Sequence, residues 1–100
     1  MLPEVSIVPL DKGAEGLSQY VAGTIKIIQE SGLDYEMNAM ATIIEGPPEK
    51  VFDVIRKCHE NMLDQSDRIL TSIKIDDRRG AEGSIRREVR SVEEKLQYVV

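Results

Sequence analysis

The sequence predicts an α+β protein in which two helices cover one four-stranded antiparallel sheet. Two observations lead to this prediction. Short runs rich in β-branched residues alternate with longer segments of helical periodicity, and glycine or proline separates them. The resulting order is strand, helix, strand, strand, helix, strand, helix, and one sheet with two helices is the compact arrangement of its first six elements. The chain of 100 residues has the size of a single domain, residues 1–100.

The first strand and the first helix have clear boundaries. Residues 4–10 are rich in β-branched side chains and are closed by Pro9, which predicts a strand. Apolar residues then recur at helical spacing over residues 17–28, and Thr24 shares their face. Gly32 stands where a glycine commonly ends a helix, so we expect the first helix to stop there.

The next two strands are expected to form a tight hairpin. Residues 35–40 and 42–45 both have an extended pattern, and the tight turn between the two strands is expected at Met40 and Ala41. A glycine and two prolines follow, and Pro48 suits the first turn of a helix. The second helix is predicted from an amphipathic set of residues: Val51, Phe52, Ile55, Cys58, His59 and Met62.

The last part of the chain predicts a strand and a third helix. Residues 68–77 alternate in part, which indicates the fourth strand. The third helix has a narrow apolar stripe formed by Ile85, Val89, Val92 and Leu96. This stripe needs a partner, which is either the protein's own sheet or another subunit. The elements together predict a ferredoxin-like βαββαβ sandwich with an extra C-terminal helix.

Alternation along the strands assigns their residues to two faces of the sheet. The side expected to face the helices includes Val5, Ile7, Ile69, Thr71, Ile73 and Ile75. The opposite face mixes polar and apolar groups: Glu4, Ser6, Val8, Leu70, Ser72, Lys74 and Asp76, which we expect Asn38, Met40 and Thr42 to join. Such a face suits either a hydrated subunit interface or a pocket in which a polar ligand lies on apolar side chains.

Composition argues against partners that carry phosphate. The chain has 13 Lys plus Arg against 18 Asp plus Glu, a formal net charge of −5, which repels nucleic acid and anionic membranes. The fourth strand has no aromatic residue on which a base would stack. No apolar run approaches the ~18 residues of a membrane span, and no signal peptide is recognisable. We therefore expect a cytoplasmic protein.

The reactive side chains argue against the common catalytic and metal sites. One cysteine, Cys58, and one histidine, His59, do not suffice for a disulfide or a zinc site. No nucleophilic triad, GxGxxG motif or phosphate loop is recognisable, so no catalytic residue, metal or cofactor is predicted. The charged segment 76–79 is interpreted as a solvated loop, or alternatively as a rim that orders a ligand or a neighbouring subunit.

Four segments resemble one known family. They are EVSIVPL, MNAMATIIEG, SIKIDDRRG and REVRSVEEKL, and in this order they resemble the small thiamine-binding protein family over nearly the whole chain. The resemblance implies a ferredoxin-like fold that assembles into homodimers or homotetramers. It also implies that the protein binds thiamine or its hydroxymethylpyrimidine half without converting it. One departure is Ala41, where the family more often has glycine before the threonine of the hairpin.

The resemblance also points to ligand-binding positions in the first and second of these segments. The matching residues are Ser6, Pro9, Asn38, Met40, Thr42 and Glu45. We expect Ser6, Asn38 and Thr42 to bond the polar edge of an aminopyrimidine, and Met40 and Val8 to cover one ring face. Glu45 or Glu4 is expected to neutralise the thiazolium cation of thiamine.

Two alternatives remain open from the sequence. The first is a small dimeric enzyme on the same fold, of the isomerase or monooxygenase type, in which Asp76, Glu45 or His59 transfers a proton. A closed cavity holding His59 beside a carboxylate would favour this enzyme. The second alternative is a purely structural assembly module, for which a dry interface without a pocket would be typical.

Overall fold

The predicted order of elements is confirmed by the computed structural model, which describes residues 1–13, 16–80 and 83–97, with Ser84 described by its backbone alone. The elements are β1 (Leu2–Pro9), α1 (Leu17–Ser31), β2 (Asp34–Met37), β3 (Thr42–Glu45), α2 (Pro48–Leu63), β4 (Ile69–Asp76) and α3 (Ser84–Leu96). Both predicted boundaries also hold. Gly32 ends α1 with a φ of 75°, and Pro48 is the first residue of α2.

The four strands form one antiparallel sheet in the order β2-β3-β1-β4. This topology, with a helix in each crossover, is the predicted ferredoxin-like arrangement. The two neighbours of β1 pair with it very differently. Its ladder with β4 extends over the whole strand, whereas its ladder with β3 contains only Glu4 opposite Ile43 and Val5 opposite Thr42.

Both α1 and α2 pack on one face of this sheet and enclose the core. The buried cluster consists of Val5, Ile7, Ile28, Ile44, Val51, Val54, Ile55, Cys58 and Met62. The prediction that Val5 and Ile7 face the helices is therefore confirmed. On α2, the predicted apolar position Phe52 is wrong: its side chain is 48% exposed, and Val54 is buried instead.

The alternation predicted for β4 is also confirmed, although the helices cover this strand incompletely. Residues directly opposite each other in an antiparallel pair point to the same face. Ile73 lies opposite Val5 and Thr71 opposite Ile7, so both belong to the helix side. Ile73 nevertheless remains 43% exposed, because β4 is an edge strand.

The hairpin differs from the prediction in two respects. The N–H of Asn38 donates to the C=O of Ala41 (2.9 Å), so Ala39 and Met40 form the turn, one residue earlier than predicted. Asn38 and Met40 therefore lie in the turn and not on a strand. Thr42 was expected on the open face, but it lies opposite Val5, on the helix side. The turn has no Asn-Gly or Asp-Gly pair that would have fixed its position in the sequence.

The third helix packs on its own sheet only at its first turn. The N–H of Ile85 donates to the carboxylate of Glu45 (3.3 Å), and Arg86 forms an ion pair with Asp34 (3.5 Å). Ile85 is 7% exposed, whereas Val89, Val92 and Leu96 are 51%, 57% and 59% exposed. The sheet of the same chain thus covers one of the four stripe residues.

Because Glu45 and Asp34 alternate with helix-facing neighbours, α3 begins on the open face of the sheet. The Cα radius of gyration is 15.3 Å, against about 13 Å for a compact domain of this length, which agrees with a helix that projects from the body. In the part of the chain that the structure describes, no helix has the length and apolar composition that a bilayer span requires.

Candidate ligand-binding site

A cavity of about 160 Å³ lies where β1 and the hairpin separate. The ladder between these elements stops at Val5 and Thr42, while β1 continues to Pro9. The turn residues 38–41 therefore diverge from residues 6–8 of β1, and α1 lies over the gap. The cavity is lined by this edge of β1, by residues 37–42, by one face of α1 and by part of α2.

Most of the lining is apolar, because the cavity continues into the core between α1 and the sheet. Leu17, Val21 and Ile25 of α1 contribute, together with the core residues Ile28 and Ile55. The lining residues that carry polar side chains are Ser6, Thr24, Asn38, Thr42 and Cys58. This combination of apolar walls and a few polar groups is typical of a small-molecule site.

Two of these polar side chains are already bonded inside the protein. The hydroxyl of Thr24 donates to the C=O of Tyr20 (3.3 Å), one turn earlier on α1. The thiol of Cys58 donates to the C=O of Thr24 (3.7 Å). Burial raises the pKa of Cys58 to about 11, so this thiol is neutral near pH 7 and is no nucleophile.

The other three polar side chains remain available to a ligand. Within the described residues, Ser6, Asn38 and Thr42 make no side-chain hydrogen bond. Thr42 is 8% exposed, yet no side-chain N or O atom in the described part of the chain is both fully buried and unpaired. The Thr42 hydroxyl therefore opens into the cavity.

The backbone of β1 adds a second source of polar groups. Residues 6–8 are paired with β4 on one side but have no strand partner on the hairpin side. An unpaired strand edge presents alternating N–H donors and C=O acceptors. The backbone of residues 6–8 therefore offers hydrogen-bond donors and acceptors to the cavity. The pattern of side chains in the sequence gives no sign of these groups.

Four of the six residues predicted from the resemblance line this cavity, and two do not. Ser6, Asn38, Met40 and Thr42 line it, and Met40 is 88% exposed at the turn. Pro9 is buried opposite Ile69 on β4, outside the lining. Glu45 is at the far end of β3, where it accepts the N–H of Ile85.

Neither Glu45 nor Glu4, the two residues expected to neutralise a cation, lines this cavity. Glu4 lies opposite Lys74 on the open face, and Glu45 binds the start of α3. No ionised side chain is found among the described lining residues. Of the mixed open face, only the part beside the hairpin gap contributes to the cavity: Ser6 and Val8 are lining residues, whereas Glu4 and the β4 residues Leu70, Ser72, Lys74 and Asp76 are not.

Sequence reasoning missed the contribution of α1 and α2 to the lining. The sequence placed Leu17 and Val21 on the apolar face of the first helix and Cys58 on that of the second, without a role in a site, although the first two lie where α1 passes over the hairpin gap. Thr24 carried the one available signal, because it is a polar residue on an apolar helix face. The gap itself depends on where the ladder stops, and no local pattern encodes that position.

The groups needed by the enzyme alternative are separated in this structure. Nδ1 of His59 forms a hydrogen bond with Oγ1 of Thr71 (2.7 Å), between α2 and β4, and His59 is not in the lining of the cavity. Asp76 lies opposite Leu2 at the end of the sheet, and Glu45 contacts α3. These three residues do not form the closed histidine–carboxylate site on which that alternative depends.

Comparison with known proteins assigns the chain to a family of binding proteins. A family model described as "Thiamine-binding protein" matches residues 3–93. The UPF0045 protein MJ1052 of Methanocaldococcus jannaschii is 36% identical over 94 residues, covering 94% of this chain and 93% of its own. The UPF0045 protein YqgV of Bacillus subtilis is 33% identical, covering 96% of this chain and 97% of its own.

Solved structures share the architecture. The crystal structure of MJ1052 superposes with a TM-score of 0.85 at 36% identity, covering 93% of this chain and 95% of that chain. A protein of Thermotoga maritima with a proposed role in thiamine biosynthesis or salvage has a TM-score of 0.79 at 22% identity, covering 91% and 96% of the two chains. At that identity the second likeness concerns the fold alone.

Proposed function

This chain belongs to the thiamine-binding protein family, and we propose on this premise that it binds hydroxymethylpyrimidine, or thiamine through its pyrimidine half, without converting it. The observation that carries the proposal is the cavity at the hairpin gap, where the side chains of Ser6, Asn38 and Thr42 have no hydrogen-bond partner among the described residues. A few polar side chains without a partner in an otherwise apolar cavity are the usual means by which a protein orients a small polar ligand.

The size of the cavity favours one ring over two. Its volume of about 160 Å³ is below the range of roughly 300–1,000 Å³ typical of sites for drug-sized ligands. A substituted pyrimidine is a single flat ring. In our proposal the pyrimidine enters the cavity, and the thiazolium of thiamine stays at the mouth beside Met40, which is 88% exposed.

The lack of carboxylates in the described lining also favours the pyrimidine over the thiazolium as the group that enters the cavity. Thiazolium is a permanent cation, and burying a charge without a counterion is very costly. The described lining contains no carboxylate. The neutral hydroxymethylpyrimidine meets no such cost, so we propose that it binds at least as tightly as thiamine.

Hydrogen bonds would provide the selectivity. An aminopyrimidine donates from its exocyclic amine and accepts at its ring nitrogens. The hydroxyls of Ser6 and Thr42, the amide of Asn38 and the free edge of residues 6–8 offer both donors and acceptors. A ligand that leaves one of these buried groups unpaired loses on the order of 1–3 kcal/mol per group.

We also propose that the protein acts in the cytoplasm as a homodimer or homotetramer, without nucleic acid or membrane as a partner. Three large apolar side chains of α3 that are more than half exposed support an assembly. The net charge of −5 supports the absence of phosphate-bearing partners.

Calorimetric titration with hydroxymethylpyrimidine and with thiamine tests the proposal. We expect saturable binding of the first and equal or weaker binding of the second. A pyrimidine that lacks the exocyclic amine is the matched control and should bind at least about fivefold more weakly. If neither natural compound binds at about 1 mM, a range that corresponds to only about 4 kcal/mol, the proposal fails.

A further inference from the structure

The apolar stripe of α3 has the spacing of a helix that pairs with another helix. Its members are separated by four, three and four residues, which is the pattern of a two-helix seam. Ile85 is buried on its own sheet, whereas Val89, Val92 and Leu96 are each more than half exposed. We propose that α3 packs antiparallel against α3 of a second copy of the chain, with Val89 opposite Val92 of the partner subunit.

The charged residues on both sides of the apolar stripe indicate that the helix paired with α3 is α3 of a second copy of the chain. At 100° per residue, Arg86 and Glu93 lie on one flank of the stripe, and Glu88 and Lys95 lie on the other. In the antiparallel pair, Glu88 stands beside the partner's Lys95. Arg86 stands beside the partner's Glu93. The two-fold axis repeats each contact, so all four flanking positions meet an opposite charge.

The parallel arrangement does not satisfy the same charges. Opposite flanks meet in parallel pairs, which places Glu88 beside Glu93 of the partner subunit. Like charges at flanking positions disfavour such a pair and help to set helix orientation. The order of charges along α3 therefore distinguishes between the two directions.

A groove at the start of α3 fits the far end of the partner helix. It has a volume of about 220 Å³ and is lined by Glu36 of β2 and by Ile85, Arg86, Val89, Arg90 and Glu93 of α3. In the antiparallel register, the partner's Leu96 stands opposite Ile85, at this groove. Leu96 is 59% exposed in the single chain, and at this place it would contact the two apolar residues of the lining, Ile85 and Val89.

Reversal of the charges of Glu88 and Lys95, which lie on the same flank of the stripe, tests the proposal most directly. In the described chain, neither Glu88 nor Lys95 forms an ion pair, whereas Arg86 already contacts Asp34. Sedimentation velocity over a protein dilution series is measured for the full chain, for E88K, for K95E and for E88K/K95E, at low ionic strength and without ligand. Each single reversal should weaken self-association about tenfold, and the double reversal should restore it to within about twofold.

The other outcomes overturn the proposal. Stronger association of E88K indicates the parallel pair, because this change removes the contact with the partner's Glu93. Unchanged association in all variants places the contact elsewhere. Circular dichroism verifies that each variant is folded. Since no ligand is added, failure here leaves the binding proposal intact, and failure to bind a pyrimidine leaves the helix pair intact.

Disulfide trapping is an independent measurement of the same register. In an antiparallel pair, V89C and V92C proteins oxidised as a mixture should give more covalent dimer than either protein alone. A parallel pair would trap each variant with itself. The natural Cys58 is 1% exposed and does not compete for the oxidant. Equal trapping in the mixture and in the separate proteins would overturn the antiparallel arrangement.

Discussion

Thr42 lies directly opposite Val5, and this pair is the last in the ladder between β3 and β1. Beyond it the hairpin turns away while β1 continues for four more residues, to Pro9. The cavity occupies the space that results. The position of this last pair thus places the Thr42 hydroxyl on the helix side of the sheet. It also leaves the edge of residues 6–8 without a strand partner and places Asn38 at the rim of the cavity.

The first prediction concerns this hydroxyl. Thr42→Val keeps the shape of the side chain but removes its hydrogen-bonding capacity. The affinity for hydroxymethylpyrimidine should fall roughly five- to hundredfold, the equivalent of about 1–3 kcal/mol, because a ligand group is left unpaired. The free energy of unfolding without ligand should change by less than about 0.5 kcal/mol, because the hydroxyl has no partner in the described chain. Calorimetry and urea unfolding measure the two quantities.

Thr71→Val is the matched control for this change. Thr71 is also a threonine on the helix side of the sheet, but it bonds His59 and lies outside the cavity lining. Its replacement should destabilise the fold by about 1–3 kcal/mol and leave ligand affinity unchanged. Equal effects of the two variants on affinity would remove Thr42 from the site.

The second prediction concerns the amide at the rim. Asn38→Ala keeps the backbone hydrogen bond from Asn38 to Ala41 (2.9 Å), so the turn should persist. Ligand affinity should fall at least about fivefold, since the amide supplies both a donor and an acceptor. Asn61→Ala, on α2 and outside the lining, is the control and should leave affinity unchanged. Loss of affinity in both variants would indicate a general effect on the fold.

Local patterns were sufficient to predict most of the architecture. Gly32 ends a helix and Pro48 begins one through their own backbone preferences, so both boundaries followed from single residues. Val5 and Ile7 were assigned to the core from simple alternation. These features depend on residues close in sequence, which is why the order of the elements was correct.

The cavity could not be predicted in the same way. Its existence depends on the point at which β1 and β3 stop pairing, some 37 positions apart at Val5 and Thr42. The hairpin turn lacks the Asn-Gly or Asp-Gly pair that would fix its register. Glu45 illustrates the same difficulty, because its partner Ile85 belongs to a helix 40 positions later. Contacts between distant segments decide which polar residues meet.

The third prediction concerns the loops at one end of the sheet. Ser66 donates to the carboxylate of Asp11, and the N–H of Asp67 donates to the same carboxylate (2.8 Å). The hydrogen bond from Ser66, followed by that from Asp67, lowers the pKa of Asp11 from its ordinary value of 3.8. The ionised form is therefore favoured in the folded state, and Asp11 contributes stability at pH values above about 3.8.

This contribution should be lost as pH falls below about 3.8 and passes through the lower pKa of the folded state. Urea unfolding of the unmodified chain and of Asp11→Asn from about pH 2 to 7 measures it. The difference in unfolding free energy should grow with pH and then remain constant above about pH 5. Ser66→Ala should flatten the same difference, because it removes the main cause of the shift. A constant difference across the whole range would contradict the assignment.

The last prediction concerns Cys58, which lies in the wall of the cavity. Burial raises the pKa of its thiol from 9.0 to about 11, and the thiol donates to the C=O of Thr24. The unfolded chain therefore loses this proton at lower pH than the folded chain. The contribution to stability is fully present below about pH 9 and should be lost as pH rises toward about 11. Cys58→Ala, compared with the unmodified chain between these values, should have the shallower decline in unfolding free energy.

Alkylation of Cys58 tests whether a bound ligand covers this thiol. Iodoacetamide at about pH 8 should modify native Cys58 far more slowly than the urea-unfolded chain, because the reactive species is the thiolate. Hydroxymethylpyrimidine should slow the native reaction further, since Cys58 lines the cavity that the ring would fill. Protection that is lost in Thr42→Val at the same ligand concentration would connect the thiol and the hydroxyl to one site. Rapid alkylation of the native chain would instead mean that the interior wall of the cavity opens to solvent, and the ligand would then have to be sought elsewhere.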